Sequence, residues 1–246
     1  MIRIIAAHFL TDLRMLGRMP GYTVPTLVMP SLLLLMFGAQ RSRDGAIPGL
    51  ILAASFATFA VFGVVFYKFG VSTAIERTAP WARYVRTLPV PPGSILIARS
   101  LSAAVFALAA ASAVFLTARI ALEFDLPGAR LLRMYAGLLG GALPFTLLGM
   151  AVGYRTRPRS AVAVSNLVYL LLSYAGGLWV PPGSLPPVMR TVALFLPTYH
   201  WGRVVWSSAL GLPWAASDWL VLAAWTGIFG AAAVHGYLRD EGTRYG

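Results

Sequence analysis

Cysteine is absent from the sequence, and charge is scarce: only 11% of its 246 residues are Asp, Glu, Lys or Arg. The first absence excludes disulfides and thiolate metal sites. The second excludes an ordinary soluble domain, which carries about 25% charged residues to clothe its surface. Acid is scarcer still, with 8 carboxylates against 20 Lys and Arg. No G-x-x-x-x-G-K-[ST] phosphate loop occurs, so the chain has no such means of holding a nucleotide. His8, His200 and His235 stand far apart and form no metal-ligand or catalytic pattern. Neither an enzyme nor a metal or cofactor site is expected in this chain.

What the chain does have is apolar length. Hydrophobic residues make up 58% of it, and the mean hydropathy is +0.73. A spanning helix needs about 20 mostly apolar residues. Six stretches meet or approach that need, at 22–40, 49–67, 100–118, 134–154, 160–180 and 219–238. None contains Lys, Arg, Asp or Glu, although 160–180 is more polar through Ser160, Ser165 and Asn166. Proton- and ion-coupled transporters usually carry ionisable groups within the membrane. These stretches have none, so any work the protein does draws its energy from a partner.

The net charge of +12 could point to nucleic acid. Its distribution points elsewhere, because the arginines sit in short loops between the apolar runs, where they fix orientation. Alternate loops carry thirteen and seven Lys and Arg, and three of the thirteen fall within residues 155–159. The richer set includes both termini, which are therefore expected on the cytoplasmic side of the inner membrane. Nucleic acid is not an expected partner.

Outside the spans, three segments carry pattern. Ile2, Ile5, Phe9, Leu13 and Leu16 recur at helical spacing, with Arg3, Arg14 and Arg18 on another face. Residues 1–20 thus read as an amphipathic interfacial helix ended by Gly17, Pro20 and Gly21. Residues 68–99 read as two short helices. The first is capped at Ser72 or Thr73 and runs through Arg77; the second opens at Pro80 and is stopped by Pro89, Pro91, Pro92 and Gly93. Their aromatic and arginine side chains suit either a protein-binding surface or headgroup anchoring by Trp81 and Tyr84. Residues 177–218 are apolar and proline-marked, and their uncharged run 191–202 is too short to span, as expected of re-entrant or interfacial helices. The tryptophans there are expected at headgroup depth.

Within the spans, Gly137, Gly141, Gly149 and Gly153 recur as one small-residue packing face, and Pro25, Pro30 and Pro144 imply kinks. Phe56, Phe59, Phe62, Phe66 and Phe106 offer apolar walls to a substrate or, individually, contact to lipid.

One stretch carries a family resemblance: G-G-L-W-V-P-P-G-S-L-P-P-V-M-R-T-V-A-L-F-L-P-T-Y-H-W, residues 176–201. It resembles the signature between the fifth and sixth spans of the ABC-2 type transporter permeases, particularly the daunorubicin-resistance membrane-subunit branch. The amphipathic start and the Glu76-Arg77 pair leading to T-L-P-V match as well. At the pair this chain reads E-R-T-A-P-W-A-R where the family often has a charge-rich E-R-E-R-G-T run.

The resemblance covers the whole chain, 1–246, as one membrane domain. It implies an all-α integral membrane fold with six spans, an interfacial N-terminal helix and short re-entrant helices between spans five and six. It also implies a multidrug-type permease exporting a hydrophobic or amphipathic compound, paired with a second permease as homodimer or heterodimer. Two cytoplasmic ATPase subunits would hold ATP and Mg. By the same resemblance, Arg14, Arg18, Glu76, Arg77, Trp81, Arg83 and Arg86 form the ATPase-coupling surface. Trp179, Pro181, Leu185, Pro186, Pro197, Tyr199 and His200 form the extracytoplasmic gate. A lipid-linked glycan exporter and a non-transporting scaffold or sensor subunit are the alternative readings.

Overall fold

In the computed structural model, residues 2–41, 46–79, 92–121, 127–180 and 182–245 are described. Every α-helix and the single 3₁₀ turn among them falls in one chain-order series, without a strand among the described residues. The series is α1 (Ile2–Arg18), α2 (Pro20–Arg41), α3 (Ala46–Glu76), α4 (Pro92–Ala121), α5 (Gly128–Gly141) and α6 (Leu143–Arg155). It continues with α7 (Pro158–Ala175), the 3₁₀ turn Pro182–Ser184, α8 (Pro187–Ala193), α9 (Pro197–Leu210) and α10 (Ala216–Tyr245).

Proline and glycine punctuate this series. Pro20, Pro92, Pro158, Pro187 and Pro197 each open a helix, where the missing N–H has no intrahelical partner to lose. Gly177 and Gly211 close α7 and α9 at φ values of 77° and 75°. After each, an amide reaches back five residues, Leu178 to the Ser173 carbonyl and Leu212 to that of Ser207. This is the glycine-dependent Schellman ending.

Helix α3 is the axis of the bundle. It is apolar on every side, and 89% of its most hydrophobic window is buried within the chain. Helices α2, α4, α6, α7 and α9 surround it. Phe56, Phe62 and Phe66 have no exposure at all, and Phe59 and Phe106 are also buried. Phe62 meets Phe145 at 4.6 Å and Tyr169 at 4.9 Å between ring centroids, and Phe145 stacks on Trp201 at 4.7 Å. These phenylalanines are therefore buried inside the chain. They fill the interior, because a helix enclosed by five others has no outer face to give.

The expected small-residue face is real but divided. At Gly149 an added Cβ would lie 2.7 Å from the Phe66 carbonyl oxygen, and at Gly153 it would lie 2.5 Å from that of Gly70. Both glycines let α6 approach α3 backbone to backbone. Gly137 and Gly141 instead accommodate Val204 and Trp201 of α9. The split follows from a break at Ala142, which separates α5 from α6 two residues before Pro144. Pro25 and Pro30, by contrast, lie inside a continuous α2.

Among the described residues, four helices can cross a membrane by length and composition: Gly49–Glu76, Ser94–Ala121, Gly128–Arg155 and Ala216–Asp240. A fifth arises if α1 and α2 count as one broken span, their axes turning by 69°. The expected span at 160–180 is not among them. Its helix α7 stops at Ala175, before the glycine turn, and includes Arg159, Ser165 and Asn166. The expected short helix starting at Ser72 or Thr73 does not exist as a separate element. Nothing in F-G-V-S-T-A-I-E breaks α3, and Gly70 is consumed by packing against Gly149. Pro92 and Gly93 open α4. The expected helix at Pro80 falls outside the described residues.

The close α3–α6 approach predicts that Gly149→Ala lowers stability by about 1–3 kcal/mol through overpacking. Gly227→Ala, at a site with open space around the missing Cβ, should change it by less than about 0.5 kcal/mol. Thermal unfolding of the detergent-solubilised variants, followed by size-exclusion fluorescence, compares the two directly.

Candidate functional site

Helix α1 has no buried residue, yet it is fixed to the bundle at its middle. Its stripe of Ile5, Phe9, Leu13 and Leu16 is half-buried, while Arg3, Arg14 and Arg18 are exposed. Asp12 accepts a 2.8 Å hydrogen bond from Ser102 of α4 and pairs with Lys68 of α3 at 2.9 Å. One carboxylate thus ties the amphipathic helix to the innermost helix of the fold. Thr23 of α2 adds a 2.6 Å bond from its hydroxyl to the Leu16 carbonyl.

The same end of the molecule gathers Arg77, Arg99 and Arg155. Arg99 of α4 donates to Glu76 at 2.8 Å and lies 5.3 Å from the Phe69 ring. Arg77, just past α3, pairs with Asp240 of α10 and donates to the Thr156 carbonyl at 2.7 Å. Arg155 donates through Nη1 to the carbonyls of Ala151 and Ala232, at 3.1 and 2.8 Å. The ends of α3, α6 and α10 are therefore laced together. Cations there also oppose the negative ends of those helix dipoles.

Aromatic residues dominate the opposite end. Trp201 is fully buried and donates to the Gly137 carbonyl at 3.1 Å. Trp206 donates to Ser55 and Trp214 to Ser208, each at 2.7 Å. Each indole binds a partner inside the chain, which a buried indole N–H requires.

His200 sits among them with both ring nitrogens engaged. Its Nδ1 lies 2.7 Å from Asp218 and its Nε2 lies 2.9 Å from the Leu194 carbonyl. Asp218 is 1% exposed, and Arg203 approaches its second oxygen at 3.5 Å. This cluster joins α9 to the first turn of α10.

The structure accounts for the signature stretch residue by residue. At Gly176 a Cβ would lie 2.1 Å from the Thr198 hydroxyl oxygen, and that hydroxyl donates to the Leu172 carbonyl at 2.8 Å. Trp179 is half-buried against Phe59, with ring centroids 5.6 Å apart. Leu185 is buried, and Pro186 is exposed at the entry to α8. Arg190 holds the preceding turn through the Gly183 carbonyl at 2.9 Å. Pro197 is buried at the start of α9, and Tyr199 packs edge-on against Trp206.

Of the expected coupling residues, Arg14 and Arg18 are exposed on α1, and Glu76 remains 60% exposed beside Arg99. Arg77 is turned inward to Asp240, with only 16% of its side chain exposed, and offers no free outer surface. Trp81, Arg83, Arg86 and Pro181 lie outside the described residues. Sequence reasoning missed Asp12, Lys68, Arg99, Asp218 and Asp240. Their signal was scarcity: Asp12, Glu76, Asp218 and Asp240, the four acids whose side chains are described, each meet a base.

A bundle of long apolar helices, basic at one end and aromatic at the other, defines a multi-pass membrane protein. The ABC-2 type transporter family model matches residues 7–210, and the chain belongs to that family. It is similar to the protein described as "Putative transport permease YvfS" of Bacillus subtilis (strain 168). The two are 29% identical over 175 residues, 71% of either chain. The protein is thus a transporter membrane subunit.

The His200–Asp218 contact predicts that His200→Ala lowers stability by about 3 kcal/mol, because a buried carboxylate loses its main partner. Adding Asp218→Asn should recover part of that deficit. Thermal unfolding of the single and double variants in one detergent checks both.

Proposed function

We propose that the chain is the permease of an exporter powered by a separate ATP-binding cassette ATPase, which docks on the basic end. The observation that carries this reading is the Asp12–Lys68–Ser102 contact. Through it, a push on the exposed amphipathic helix reaches α3, and α3 touches most of the bundle. In this reading the basic end and both termini face the cytoplasm, as the arginine distribution favours. ATP and Mg belong to the ATPase.

Two permeases and two ATPases make the working assembly in this proposal. The interior of one chain is filled by Phe56, Phe62, Phe66, Phe145 and Trp201, which favours a substrate path at the chain's surface, between two copies. Exposed apolar faces suit that arrangement: Val28, Met29, Leu32 and Met36 on α2, and Leu167, Leu170 and Leu171 on α7. A hydrophobic or amphipathic compound suits walls of that kind. Helices α8 and α9 act as the re-entrant pair of the outer gate, held shut through His200 and Asp218.

Vesicles containing the permease and its co-purified ATPase test the reading by ATP-dependent export of a lipophilic cationic dye. Asp12→Ala should reduce export at least about tenfold while ATP hydrolysis and membrane insertion persist, since it removes a charged, hydrogen-bonded link between α1 and the bundle. Glu76→Ala should uncouple in the same way. Export at the normal rate in both variants, or a permease that retains no ATPase on purification, would overturn the proposal.

A further inference from the structure

At the basic end, α6 and α10 enclose a cavity of about 530 Å³ that the coupling contacts do not use. Arg77, Arg155, Arg239 and His235 line it, with Tyr154 and Asp240, the one carboxylate among the described lining residues. Asp240 is already engaged by Arg77. Arg155 spends only Nη1 on the carbonyls of Ala151 and Ala232. No acceptor among the described residues meets its Nε or Nη2, the paired edge that grips phosphate oxygens. Gly236 opens the wall, since a Cβ there would stand 2.9 Å from Tyr154 and 3.3 Å from Arg155.

The cavity's depth identifies its ligand. Arg155 and Arg239 are the first charged residues after the apolar runs 134–154 and 219–238, so the cavity they line lies where hydrocarbon gives way to headgroups. Above it the outer face of α10 is apolar and uncovered, with Val234 and Leu238 58% and 59% exposed. A basic pocket between helices at headgroup level, continuous with an apolar wall, matches a charged lipid at both of its ends.

We propose that this cavity binds the phosphate of an anionic phospholipid through Arg155 and Arg239, with the acyl chains lying along α10. The site is independent of the transport reading and is tested without it. The test is native mass spectrometry of the purified full chain in uncharged detergent, titrated with phosphatidylglycerol, phosphatidylcholine or inorganic phosphate. Phosphatidylglycerol should bind saturably and about tenfold more tightly than phosphatidylcholine, and millimolar phosphate should not displace it. Arg239→Gln, on the exposed side, should weaken binding about tenfold, the equivalent of one charge-assisted contact. Arg155→Gln should do the same, and Arg239→Gln decides the matter if removing the carbonyl bonds unfolds that variant.

Arg157→Gln removes an equal charge at the same end but outside the cavity, and should change affinity less than about twofold. Equal weakening in Arg157→Gln would mean diffuse surface attraction and overturn the site. Equal affinity for phosphatidylcholine, or displacement by inorganic phosphate, would overturn the anionic-lipid assignment.

Discussion

The rest of the fold depends on the contact between two backbones, α3 at Phe66 and Gly70 against α6 at Gly149 and Gly153. In a bilayer the tails are as apolar as leucine, so burying apolar surface offers little drive for helices to associate. Close backbone approach supplies dispersion contacts that lipid cannot match. With α6 seated, α10 packs on its far side. The remaining neighbours of α3 close around the phenylalanines, and the interior becomes an aromatic solid rather than a channel.

Charge is confined to the two ends, and at each it works as a fastener. Asp12 fixes α1 to α3 and α4, Asp240 fixes α10 to the end of α3, and Asp218 fixes α10 to α9. A chain so poor in acid places each described carboxylate where it joins two helices. Helix α1 is thereby an exposed amphipathic lever pinned by polar contacts at Asp12 and Leu16. That arrangement can carry motion inward without a continuous rigid interface.

The apolar runs and the arginine loops were legible because the bilayer imposes length and sidedness on any sequence. The stripe of Ile5, Phe9, Leu13 and Leu16 was legible because helical period is a local property. The signature at 176–201 could be recognised, but its reason is tertiary: Gly176 is small because Thr198, 22 residues on, needs the space. Hydropathy could not tell Phe62, walled in by Phe145, Tyr169 and Trp201, from a lipid-facing residue, since both sides of that choice are apolar. Nor could charge counting pair Asp12 with Lys68 or Arg77 with Asp240. Those pairings depend on which helix ends meet, and a single sequence does not state that.

The enclosure of α3 sets an order of events during biosynthesis. As the most hydrophobic candidate span among the described residues, it enters lipid readily on its own. Its partners α6, α7 and α9 emerge from the ribosome later. The helix that ends up most sheltered therefore begins surrounded by acyl chains, which the later helices must displace before Gly70 can meet Gly149.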